Sequence, residues 1–258
     1  MKRAAFLFML VFALFAAAPS TVTATPKKNK KKTEFNPLAA QNYLRQGNVL
    51  MQQDRFDEAL EQFQKADQAA PNNATVYNMM GLCYLSKGEL DMALTYFDRA
   101  LQLIPGFTDA RNNRGSTYLA LEQYRMAEVD FIAVLSDSTY PHRWKVFYNL
   151  GMTYLSRGQI GAAEENFNKA ITAPVPVFEA YLRLAEIAEA QGRIESALGV
   201  LEEARLTHPD RMEGTFAYGR LLMDAGRPEE GRRYLEKVIA SDPSSAMADA
   251  AREFLGQS

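Results

Sequence analysis

Residues 81–105 read GLCYLSKGELDMALTYFDRALQLIP, and the placement of their small and large apolar residues decides the fold. Gly81 opens the stretch, Ala93 follows twelve positions later and Phe97 four after that, with Gly88 between two apolar-periodic segments and Pro105 at the end. Apolar residues three and four apart on both sides of Gly88 predict two amphipathic helices joined by a turn. Glycine inside a helix is about 1 kcal/mol worse than alanine, so Gly81 predicts a place where a facing helix leaves no room for a β-carbon. The small Ala93 is the expected counterpart on that second helix, with Phe97 filling the seam on the same face.

Working outward, the pattern recurs. Gly47, Gly81, Gly115, Gly151, Ala185 and Gly219 fall at spacings of 34, 34, 36, 34 and 34. Twelve positions after each stand Ala59, Ala93, Ala127, Ala163, Ala197 and Gly231, then Phe63, Phe97, Phe131, Phe167, Leu201 and Leu235. Pro71, Pro105, Pro209 and Pro243 close four of the six units. Gly88, Gly158, Gly192 and Gly226 fall where a left-handed residue ends a helix, while Asp54 and Glu122 take that place in the first and third units and predict tighter or strained turns. Residues Ser245 to Leu255 read as a capping helix over the last apolar face.

This pattern resembles the tetratricopeptide repeat, a helix–turn–helix of about 34 residues. The resemblance implies an all-α fold, a right-handed superhelical solenoid of six repeats with a C-terminal capping helix, spanning residues 39–258. It also implies that the first helices line a concave groove. The expected groove positions include Leu44, Asn48, Asn78, Leu82, Asn112, Asn113, Ser116, Tyr148, Asn149 and Met152. Amides offer both donors and acceptors to an extended peptide backbone, and Leu, Met and Tyr take its apolar side chains. A protein or peptide partner is therefore expected there. A clamp for a C-terminal carboxylate is not, because Lys145, Arg183 and Arg220 are scattered among Glu179, Glu186 and Glu189.

The one longer spacing, between Gly115 and Gly151, places two extra residues within Ser136 to Trp144 (SDSTYPHRW). Tyr140, Pro141 and Trp144 make this linker a second candidate contact surface, since Trp and Tyr dominate interface hot spots; an ordinary insertion with Trp144 packed on the next helix is the alternative. Six repeats behind a leader, with this Tyr-Pro linker between Asn112-Asn113-Gly115 and Asn149-Leu150-Gly151, resemble the type IV pilus assembly lipoproteins of the PilF/PilW kind. That resemblance implies a pilotin assisting a secretin ring; a general periplasmic, chaperone-like adaptor that binds through its convex face or this linker is the alternative. The lipidated cysteine of that family has no counterpart here.

Upstream, Met1, Lys2 and Arg3 precede fifteen apolar residues, Ala4 to Ala18. A bilayer-crossing helix needs about 20, so residues 1–24 fit a secretory signal cut after Ala24, with retention as an anchor the alternative. Residues 25–38 form a Lys-rich flexible linker, five of the six residues Lys27 to Lys32 being lysine. Contact of this segment with anionic lipid is a further expectation. The expected location is the periplasm or cell envelope.

Composition narrows the rest. Of the 29 basic and 31 acidic side chains among 258 residues, 22 and 30 lie past residue 34, so that body carries about −8, which argues against a nucleic-acid partner. One cysteine and two distant histidines, His142 and His208, give no metal-ligand spacing. Cys83 reads as a buried small apolar residue, and His208 as a helix-end cap. The tyrosines at helical spacing (Tyr43, Tyr77, Tyr84, Tyr118, Tyr154, Tyr181) read as packing residues rather than a ligand cage. No nucleotide-binding glycine loop, G-x-S-x-G elbow or H-E-x-x-H helix is present, so no catalysis, cofactor, metal or small-molecule substrate is expected.

Overall fold

A computed structural model describes residues 35–256. The expected leader and most of the Lys-rich linker lie outside the described residues. Within them are thirteen α-helices and no strand. Six hairpins follow one another: α1 (Pro37–Met51) with α2 (Phe56–Ala69), α3 (Ala74–Ser86) with α4 (Leu90–Leu103), and α5 (Thr108–Ala120) with α6 (Tyr124–Leu135). Then come α7 (Arg143–Ser156) with α8 (Ile160–Ile171), α9 (Phe178–Ala190) with α10 (Ile194–Thr207), and α11 (Met212–Asp224) with α12 (Pro228–Ser241). A single helix, α13 (Ala246–Phe254), closes the array against α12 and α11. The first helix begins at Pro37, two residues before the expected start, because Asn36 accepts a hydrogen bond from the Ala39 amide and proline suits the first helical turn.

The register of the repeat has a steric cause. A β-carbon built on Gly81 would stand 2.6 Å from the Phe97 ring, and one on Gly151 equally close to Phe167. Gly47 faces Phe63 and Gly115 faces Phe131 in the same way. This corrects the sequence expectation: the residue that excludes a side chain lies sixteen positions on, the aromatic ring, not the alanine at twelve. Only in the sixth repeat does the residue at twelve take part, where the Gly231 carbonyl, Tyr234 and Leu235 crowd Gly219. In the fifth, Leu201 replaces the ring and Ala185 replaces the glycine, so a smaller knob meets a methyl. The four phenylalanines and Ala59, Ala93, Ala127, Ala163 and Ala197 are fully buried.

The turns follow the sequence. Gly88, Gly158, Gly192 and Gly226 have φ between 71° and 78°, and Asp54 and Glu122 are held at 56° and 58° in the same left-handed region. Each helix packs on its neighbours in the chain. In addition, α1 touches α3, α3 touches α5 and α5 touches α7, so the first helices stand in a row that forms one face. Beyond α7 that row loosens.

Two connections between hairpins are longer than the rest: residues 136–142, which the repeat spacing reveals, and residues 172–177, which it hides. The second is hidden because α8 has 12 residues where α2, α4, α10 and α12 have 14, so the regular spacing survives. Pro174 and Pro176 were its signal.

Candidate functional site

The face of first helices holds most of the expected groove residues, in varied states. Leu44, Leu82, Asn112, Asn113, Ser116, Tyr148, Asn149 and Met152 are half-buried, and Asn48 is exposed. Asn78 is only 2% exposed, and its side-chain oxygen accepts from Asn113 Nδ2 at 3.0 Å. Asn149 Nδ2 donates to Ser116 Oγ at 3.3 Å, and Ser116 Oγ donates to the Asn112 carbonyl. These amides thus stitch α3 to α5 and α5 to α7, which costs them part of the free hydrogen-bonding capacity expected for a peptide. Asn112 Oδ1 is buried with no donor. Leu85, Leu119 and Leu155 lie half-buried beside the stitched residues and leave an apolar strip.

Past Asn149 the character changes. Its counterpart in the next repeat is Arg183, and the α9–α11 part of the face is charged and ion-paired. Arg183 meets Glu186 at 2.6 Å, Arg211 meets Glu179 at 3.2 Å, and Arg220 grips Glu189 through two nitrogens at 3.1 and 2.7 Å. Two hollows flank α9. One, of about 260 Å³, is mainly apolar, lined by Leu155, Ile160, Ile187 and Ala190; the other, about 200 Å³, is mixed, with Leu182, Phe216 and Ala217 beside Glu189, Glu213 and Arg220. Glu186 stands at the rim of both.

The linker is built differently from an exposed tip. Tyr140 is 8% exposed and packs with Phe131, Val134, Val146 and Leu150, its hydroxyl beside Asp109; burial pushes that phenol up to about 12. As a contact residue it is therefore displaced by its own role in the core. Asp137 accepts from the Thr139 hydroxyl and amide and from Thr108 Oγ1 at 3.1 Å, hydrogen bonds that hold its carboxyl below the usual range. Arg143 donates to the carbonyls of Leu135 and Asp137. Pro141 is exposed, and Trp144 lies half-buried with the Lys145 ammonium 4.9 Å from its ring centre. His208 sits at the end of α10 as expected, against Phe178 and Tyr181.

A further surface lies on the second helices, where the sequence reading named no contact residues. On α6, Met126, Val129 and Ile132 are 49%, 61% and 51% exposed at three-residue spacing. The corresponding positions carry Glu58, Glu61 and Gln64 on α2 and Glu230, Arg233 and Glu236 on α12, so the departure was legible once the repeats were aligned. Among the described residues no three His, Cys, Asp or Glu side chains lie together in a way that would hold a metal ion, and no helix is long and apolar enough to cross a membrane.

Hairpins recurring at a regular spacing, each of the first four closed by a glycine-on-ring contact, define a helical repeat protein. Two family models, both described as tetratricopeptide repeat, match residues 38–105 and residues 148–211, 182–246 and 216–258. The chain belongs to the tetratricopeptide repeat family. No curated protein matches it by sequence. Among solved structures, pilF of Pseudomonas aeruginosa is similar with a TM-score of 0.70 at 19% identity, over 85% of this chain and 98% of that one. PilW, described as a widely conserved type IV pilus biogenesis factor, reaches a TM-score of 0.72 at 19% identity, over 83% and 98%. YrrB, described as a repeat protein with an unusual peptide-binding site, is similar with a TM-score of 0.53 at 22% identity, over 74% and 97%. At these identities the likeness is one of fold.

Proposed function

We propose that the chain is a non-catalytic scaffold of the cell envelope that holds a partner polypeptide in the groove of its first helices, in the assembly of type IV pili or their secretin. The observation that carries this reading is the strip of Leu82, Leu85, Leu119, Tyr148, Met152 and Leu155, which stays half exposed along the stitched row α3–α5–α7. Apolar side chains left uncovered beside ordered amides suit an extended chain that brings its own apolar residues. The envelope and pilus parts are supported by the leader-like residues 1–24, by the Tyr140-Pro141 linker, and by a fold like those of pilF and PilW over nearly their whole length. The single cysteine, Cys83, is buried in the second repeat, so a lipid on a leader cysteine forms no part of the proposal. The groove carboxylates Glu186 and Glu189 are held by Arg183 and Arg220, which favours a recognition role over an acid–base one.

In a pull-down from envelope extracts, changing Asn112, Tyr148 and Met152 together to Ala should abolish capture of the partner. Undiminished capture, with the variant folded by circular dichroism, refutes the groove.

The exposed Met126, Val129 and Ile132 favour a second reading, in which the outer face of α6 is the contact surface. Met126→Lys with Val129→Glu should then abolish capture while the groove triple variant retains it.

A further inference from the structure

We infer that α9 carries a recognition site for an extended peptide that has two bulky apolar residues three positions apart and a lysine or arginine between them. The inference rests on the groove reading and gives it a location and a partner chemistry. The two hollows lie on either side of α9, the first between α7, α8 and α9, the second between α9 and α11. At about 260 and 200 Å³, each exceeds the roughly 150 Å³ of an apolar cavity that accepts a benzene-sized group, so each has room for one Leu, Ile or Phe side chain. Helices pack about 8–10 Å apart, so two hollows that flank one helix are separated by about that distance. A chain in the polyproline II conformation rises about 3.1 Å per residue with three residues per turn, so its residues i and i+3 lie on one face at about that separation. A peptide laid across α9 therefore drops residues i and i+3 into the hollows.

The residue between them passes over Glu186, which borders both hollows. The charge there is unbalanced. Glu179, Glu186, Glu189, Glu213 and Asp224 are five carboxylates facing three guanidinium groups, those of Arg183, Arg211 and Arg220, and Arg211 is shared between Glu179 and Glu213. The Arg183–Glu186 pair is three residues apart on one helix, with both side chains more than a third exposed, so a competing cation displaces it at little cost. The excess of negative charge selects a basic peptide residue and rejects an acidic one.

The test is fluorescence anisotropy of the full chain with three labelled peptides, differing only in their central residues: Leu-Ser-Lys-Leu, Leu-Ser-Glu-Leu and the shorter Leu-Lys-Leu. The first should bind about fivefold more tightly than the second or third. Glu186→Lys, at an exposed position, should reverse the preference between the first two. Ala190→Phe, which fills the first hollow from an exposed position, should weaken the first peptide to the level of the third. Equal binding of all three, no binding of any, or a lysine preference that survives Glu186→Lys overturns the inference. The groove reading is read out separately by partner capture. A chain that needs Asn112, Tyr148 and Met152 for capture yet shows no lysine preference loses the α9 site and keeps the groove.

Discussion

Gly81 and Phe97 stand so close across the second hairpin that a methyl group on the glycine would sit 2.6 Å from the ring edge. Gly81→Leu should therefore lower the thermal midpoint strongly, by an amount corresponding to about 3 kcal/mol, through overpacking of a filled seam. Gly199, inside α10 with nothing within 4 Å of its missing β-carbon, is the control. Gly199→Ala should raise stability by about 1 kcal/mol, since only helix propensity changes there. An unshifted melt for Gly81→Leu contradicts the contact.

Glu122 is held at φ 58° in the turn where other repeats place glycine. Glu122→Gly should stabilise the protein by up to about 1 kcal/mol, the relieved strain exceeding the greater freedom of glycine in the unfolded chain. Asp54→Gly should gain less, because a short polar side chain tolerates the left-handed region better. Urea midpoints of the two variants test the order.

Asp130 is 2% exposed and receives two hydrogen bonds of 2.7 Å from Arg114, whose remaining arm reaches Asp98 at 2.7 Å. These contacts raise the guanidinium well above its ordinary range and join α4, α5 and α6. Asp130→Ala leaves a half-buried cation with one carboxylate and should cost about 3 kcal/mol in chemical denaturation. Replacing both partners, Arg114→Met with Asp130→Leu, should cost clearly less than the single change.

Burial pushes the Cys83 thiol from 9.0 up to about 12. In the native protein at pH 8 it should resist iodoacetamide and react only after unfolding, as followed by mass spectrometry. The folded state holds this proton more tightly than the unfolded one. The thiol's contribution to stability is thus complete below about pH 9 and is lost as pH rises toward 12.

Much of the architecture was legible because a glycine facing a ring, an alanine that lets helices approach and a left-handed turn each demand one residue type. Those demands recur once in every repeat, and they located the hairpins, the turns and α13. The steric partner of Gly81 was misread because spacing along a helix names the face, not the atom that fills it. The face residues were harder still. Asn78 and Asn113 share one groove register whether their amides wait for a peptide or bond each other, and only the approach of α3 to α5 decides it. Tyr140 has the composition of a contact residue, yet the linker folds inward and lends its ring to the core. The second long connection escaped notice because a shortened α8 compensated for it.

The side-chain bonds among the first helices join α3 to α5 and α5 to α7, then give way after Asn149 to the proline-bearing connection and the charged pairs of α9 and α11. The two arms are thus fastened differently: neutral hydrogen bonds tie the first, while the ion pairs that clasp the second weaken as ionic strength rises. A guest lying on the second arm therefore meets a surface whose self-pairing depends on salt.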